Sequence, residues 1–270
     1  MAAPQFQPVT AAQSYPTVSL AAQAQAMTAF RAAQDYLMVM LLRDILKVWG
    51  SLNLQDVRSS WPALRIAIAG LVRERFGLSV AQAQAYYAEA RKAAGVLGYF
   101  PVPSIPLPSP ELIQATLDST GPYALLGRIK KAQPVPQAMQ NTGVILSGAA
   151  SRLVLNGARQ AILQSVKDDS EAVGWMRVTA ANPCAWCAML ASRGASYRSA
   201  ASAGFKAHNL CRCTAQAVFS HRDAEALTDS PLRQQWDQVT AGLSGKNALN
   251  AWRRYWNEQH PDALGSHLAA

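Results

Sequence analysis

Asn182-Pro-Cys-Ala-Trp-Cys-Ala-Met189 and His208-Asn-Leu-Cys-Arg-Cys213 decide how this chain is read. Between them they hold all four cysteines of the 270 residues, within 30 positions, and one of the four histidines. A thiolate pair two residues apart can grip one tetrahedral metal from a tight turn. A second pair about 20–25 residues later closes the cage, which is the spacing of structural zinc sites. Thiolate and imidazole favour zinc over magnesium or calcium, and a filled cage leaves no open position for catalysis. The candidate ligands are therefore Cys184, Cys187, His208, Cys211 and Cys213, five groups for the four positions of one structural zinc.

Which four bind depends on local conformation. If residues 210–214 are extended, Cys211 and Cys213 share a face and both can ligate. If His208 to Cys211 is a turn, those two form the chelating pair. Arg212 then faces away, where its charge offsets that of the thiolates. Free thiols and disulfides are the alternatives. Pairing within Cys184–Cys187 or Cys211–Cys213 would make small strained rings. Residues 1–19 have neither a basic start nor a continuous apolar core, so they do not read as a secretion signal.

Outward from this stretch, Trp175-Met-Arg-Val-Thr179 alternates and reads as a strand leading into the Asn182-Pro183 turn, and 205–219 is expected to supply a second strand or turn. Residues 1–18 are Ala/Gln/Pro-rich and read as a mobile segment. Leu20, Met27, Phe30, Leu37, Leu41, Ile45, Val48 and Trp49 recur at helical spacing, with Ser19 as cap and Gly50 as stop. A second helix is expected from Trp61 to Phe76, stopped by Gly77, and a third from Ser79 to about Gly95, completing a helical domain over 19–99. Residues 101–110 contain five prolines, which forbid a regular helix and favour a semi-rigid spacer between two halves, with the connector at 100–110. Beyond it, 111–118 and 122–132 read as short helices. Pro134-Val-Pro136 reads as a break and 142–167 as a long helix rich in small residues. A last helix, 246–259, presents Leu249, Trp252 and Trp256 in one stripe within a C-terminal extension over 223–270. These tryptophans either dock on the body or form a binding surface. The fold class is mainly α, with a small α+β zinc-stapled module at 174–219.

The run Gly174-Trp-Met-Arg-Val-Thr179, Asn182 to Gly194, His208-Asn-Leu-Cys-Arg-Cys213 and Val218-Phe219 resembles MuF-like minor capsid proteins of tailed phages. These are also called head morphogenesis proteins, and the likeness is to the form found in phages of actinobacteria, many of them labelled capsid maturation proteases. The resemblance is specific over about 174–219. The family often has His-Pro or His-Asp where this chain has His208-Asn209, and the loop from Gly194 to Ala207 is short beside many members. The resemblance implies a MuF-like domain over 111–222. It also implies a protein of the capsid interior near the portal, assembled in the host cytoplasm with portal, capsid and scaffold proteins.

Charge is compatible with that setting: 25 Lys+Arg against 16 Asp+Glu give a net charge of +9, which suits contact with packaged DNA, although no basic block occurs. The most apolar stretch, Tyr36 to Leu42, is too short to cross a bilayer. Catalytic signatures are lacking: there is no His-Glu-x-x-His and no Gly-x-Ser-x-Gly. Gly242-Leu-Ser-Gly-Lys246 lacks the first glycine of a phosphate loop. Asp168, Asp169 and Glu171 read as a solvated helix end, and His221, His260 and His267 as exposed. A structural head protein with a zinc module is the first reading; a processing protease acting on scaffold or capsid protein and a zinc-dependent nucleic-acid-binding protein are the alternatives.

Overall fold

In the computed structural model the described residues are 19–195 and 205–261. The expected mobile segment 1–18 and His267 lie outside them. The chain is mainly helical with one small sheet. Helix α1 (Ser19–Trp49) and helix α2 (Val57–Ala93) pack along each other and against α5 (Val135–Asp168), with α3 (Pro110–Thr120) and α4 (Pro122–Lys130) covering one end. Strands β1 (Gly174–Val178) and β2 (Thr214–Val218) pair antiparallel, Gly174 opposite Val218 and Val178 opposite Thr214. Helix α6 (Ala185–Ala191) lies between them in sequence. Helices α7 (His221–Thr228), α8 (Pro231–Val239) and α9 (Gly245–Gln259) follow.

Helix α2 corrects the expected break at Gly77. Glycine in a helix interior costs about 1 kcal/mol relative to alanine. Phe76, Val80, Ala83 and Tyr87 are buried on either side of it, and each large apolar side chain buried is worth about 1.5–3 kcal/mol. Burial on both flanks outweighs one glycine, so the helix runs through. Pro134 and Pro136 likewise stand at the start of α5 rather than in a gap before it, with Pro134 as N-cap. There the missing N–H removes no intrahelical bond.

Helix α5 is the axis of the molecule. Its small residues admit neighbours from three directions. A Cβ at Gly143 would meet Trp49, one at Gly157 would meet Phe76 and Val80, and one at Gly148 would lie 2.7 Å from the Leu210 side chain. Leu37, Leu41, Ile45, Trp61, Ile68, Val72, Ile113, Leu117, Leu125, Leu146 and Val154 form one core around it. Phe30, Phe76, Tyr87, Ile162, Trp175, Ala215 and Phe219 form a second. Both cores draw on residues from either side of the proline-rich segment, and Phe100, Val102 and Ile105 of that segment pack against the second. It is therefore a strap laid along the body, not a spacer holding two halves apart.

The acidic cluster at the end of α5 also differs from expectation. Asp168 and Glu171 are exposed, but Asp169 is buried. Its carboxylate accepts from Arg91 Nε at 2.9 Å and from Tyr87 Oη at 3.0 Å. The guanidinium on α2 neutralises it, which is what permits a carboxylate inside. Burial first, and then the Asp169 charge, push the Tyr87 phenol up. Among the described residues no helix is long and apolar enough to cross a membrane.

Candidate metal centre

The cage is built from two short pieces presented by the sheet. β1 ends at Val178, and Cys184 becomes the N-cap of α6, its sulfur accepting from Cys187 N at 3.4 Å. One helical turn therefore places Cys187 beside Cys184 with both sulfurs on one side. Opposite, Cys211 N donates to His208 O at 3.2 Å, closing a turn through Leu210 at φ +66°. This turn brings His208 and Cys211 to the same site. The chain then extends into β2, and Cys213 is buried there as well. Gly148 on α5 makes room for the turn; Leu210 N donates to Gly148 O at 3.4 Å.

The donor atoms converge. His208 Nε2 lies 3.0 Å from Cys184 Sγ and 3.7 Å from Cys187 Sγ, and Cys187 Sγ lies 3.6 Å from Cys211 Sγ. Two ligand triplets, Cys184–Cys187–His208 and Cys187–Cys211–Cys213, each have their atoms within 4.8 Å of one another and share Cys187. With zinc bonds of about 2.3 Å to sulfur and about 2.0–2.1 Å to nitrogen, a tetrahedron has edges of about 3.8 Å between sulfurs and about 3.6 Å from sulfur to nitrogen. The Cys187 distances match those edges. All four cysteines are free thiols. These buried Cys/His groups can hold a metal ion, and the donor set is thiolate and imidazole.

The surroundings tune the donors. His208 Nδ1 donates to Asn209 O at 2.6 Å, which would leave Nε2 of a neutral ring free to coordinate an ion in place of its proton. Hydrogen bonding, first from Cys187 and then from His208, holds the Cys184 thiol down to about 4. The same Cys184 contact raises His208 to about 9. Bonds to Cys184, Cys211 and Cys213 push Cys187 up, while those from Cys187 and Cys213 push Cys211 down. Sulfurs packed this closely cannot all ionise without a cation among them.

The expected cationic neighbour is a different residue. Arg212 is turned outward, 3.8 Å from Asp35 on α1. Arg159 of α5 and Arg177 of β1 stand against the cage instead, both 2% exposed. Burial pushes the Arg159 guanidinium down, and the charges of Cys211 and Cys213 push it back up. Sequence reading missed both arginines. A signal existed for Arg177, which alternates in register with the buried Trp175; Arg159 carried none, being one cation on a long helix. The expected tryptophan stripe of α9 docks on the body: Trp252 Nε1 donates to Ala185 O at 2.8 Å and Trp256 Nε1 to Pro183 O at 2.9 Å. The C-terminal helix therefore grips the backbone that carries Cys184. His221 is exposed, and His260 stacks on Trp256 at 4.0 Å.

The sequence model of the VG15 protein family matches residues 21–239, most of the chain. The chain belongs to that family. This is a phage and viral protein family, which marks the chain as phage-encoded. The match begins in α1 and ends with α8, so it takes in the helical body and the whole Cys/His site. No curated protein and no solved structure shows significant similarity to the chain.

Proposed function

We propose that this VG15 family member is a structural protein of a tailed-phage head, of the MuF-like minor capsid kind. On this reading it sits near the portal inside the capsid and contains one structural zinc. The observation that carries the reading is the convergence of Cys184, His208, Cys211 and Cys213 on Cys187, in two triplets that share its sulfur. Cys184, Cys187 and His208, with Cys211 or Cys213 as fourth ligand, would hold the ion. Zinc supplies cross-linking there: it ties the start of α6 to the turn before β2. Four protein ligands would fill a tetrahedral ion, so the arrangement would staple the fold and present no open coordination position to a substrate. The family match and the resemblance over residues 174–219 support the head-protein assignment. The net positive charge suits an interior filled with DNA.

Elemental analysis of protein purified under reducing conditions tests the metal, with one zinc per chain expected. Protein free of transition metal would overturn that part. Expression with the portal, scaffold and capsid proteins encoded beside it tests the role. Co-purification with portal or procapsid without cleavage is expected. Defined cuts in scaffold or capsid protein, abolished by a single Ser, His or Asp substitution here, would install the protease reading in its place.

A further inference from the structure

Two guanidinium groups are buried beside the thiols, and neither is paired with a carboxylate among the described residues. Arg159 donates from Nε and Nη2 to Cys213 O at 3.0 and 2.8 Å, and from Nη2 to Cys211 O at 2.6 Å. Arg177 donates from Nη2 to Lys206 O at 2.9 Å, and its Nη1 lies 3.8 Å from Cys187 Sγ. Phe205 is shared between them, its ring centre 3.7 Å from the Arg177 guanidinium carbon and 4.8 Å from that of Arg159. Trp175 stacks on the same ring at 5.6 Å.

Carbonyl oxygens and an aromatic face orient a guanidinium, but they do not cancel its charge. A buried cation is tolerated when a negative group lies within a few ångströms. Two cations side by side also repel each other, so the demand is for roughly two negative charges at one place. The thiols of Cys184, Cys187, Cys211 and Cys213 are the ionisable groups that can meet it. A divalent ion held by three thiolates and one imidazole carries a net charge of −1, and by four thiolates −2. Either places negative charge beside the arginine pair, offsetting one cation in the first case and both in the second.

We infer that Arg159 and Arg177 are the counter-charges of a metal–thiolate cage and act as positioning residues for it, an inference that rests on the metal reading above. Arg177 acts on Cys187, the sulfur common to both triplets. Arg159 acts on the backbone of Cys211 and Cys213, fixing the direction in which that pair points. Because the two stand on β1 and α5, metal binding and the seating of the sheet on the central helix become one event. Loss of the ion would leave two cations facing each other over Phe205.

The test uses the full chain, with cobalt(II) as spectroscopic probe and zinc affinity measured by competition with a chromophoric chelator. Arg177→Met and Arg159→Met should each weaken zinc binding about 10–100-fold, the usual size of an outer-shell defect. Arg177→Lys keeps the charge but not the fork, and should recover a large part of the loss. The sulfur-to-cobalt charge-transfer bands should move in Arg177→Met, because the donor to Cys187 is gone. Unchanged affinity in both methionine variants would overturn the inference, as would equal affinity for Arg177→Lys and Arg177→Met. If Arg177→Met does not fold, Arg177→Gln and Arg159→Met decide, since wild-type affinity in both removes the counter-charge role. A wild-type chain that takes up neither zinc nor cobalt overturns the metal reading itself, a result distinguishable because it appears before any variant is made.

Discussion

The body around α5 and the Cys/His lobe solve the same problem with different materials. In the body, helices of 31, 37 and 34 residues bury long apolar stripes against one another. In the lobe, the strands have five residues each and α6 has seven. The buried cluster at the cage consists of Cys187, Cys211 and Cys213, which as a hydrophobic core is very small. Elements this short have little core of their own and bury what they have against the second core and the α9 tryptophans. On the proposed reading a metal replaces apolar area, and the tryptophans of α9 hold the site from outside. On that reading the two regions fail differently, the body through cavities and the lobe through loss of its ion.

The sharpest way to break this comparison is to remove the metal. Chelation, or Cys187→Ser, should abolish metal binding, since Cys187 belongs to both triplets. Structural zinc supplies apparent binding free energy of roughly 10–16 kcal/mol in small modules. Hydrogen exchange should become fast across β1, α6 and β2, while α1, α2 and α5 keep their protection. Uniform loss of protection would mean that the lobe and the body are one cooperative unit.

Next in size is the buried ion pair that joins α2 to the end of α5. Asp169→Ala leaves Arg91 buried and should cost about 3–5 kcal/mol in urea denaturation, with metal content unchanged. A cavity in the body should cost about 2–5 kcal/mol. Leu41→Ala is the natural choice, because Leu41 is fully buried, and again the metal should stay. If either variant loses the metal, the two regions do not divide as described.

Two smaller effects probe the seam. Gly148→Ala places a methyl 2.7 Å from the Leu210 side chain and should cost roughly 1–3 kcal/mol by overpacking. It should also weaken metal binding, because Leu210 lies within the ligand turn. Trp256→Phe removes the hydrogen bond to Pro183 O, worth about 0.5–1.5 kcal/mol. A thermal melt should show the shift in metal-loaded protein.

Much of this was legible in the sequence because it is local. Cys-x-x-Cys and His-x-x-Cys state their own chelate geometry, and the α1 stripe from Met27 to Trp49 states its own helix. The strand at Gly174–Val178 and the helix at Gly245–Gln259 were equally readable from alternation and period. Helix α6 was not, because seven residues opening on the second half of a Cys-x-x-Cys look like a turn. Helices α7 and α8 are eight and nine residues long with caps Ser220 and Ser230, a length at which period is a weak signal.

The mainly helical class and the grouping of the candidate Cys/His donors could be read from residue spacing along short stretches of chain. Tertiary structure alone decided the rest. It joined α2 across Gly77, buried Asp169 under Arg91, turned Arg212 outward and set Arg159 and Arg177 against the sulfurs. Each of these depends on charge or apolar surface brought from distant positions, as Gln23 is brought to Asp223 two hundred residues away. Spacing cannot encode such encounters, because desolvation and charge compensation act through space, between groups that only the packed chain brings together.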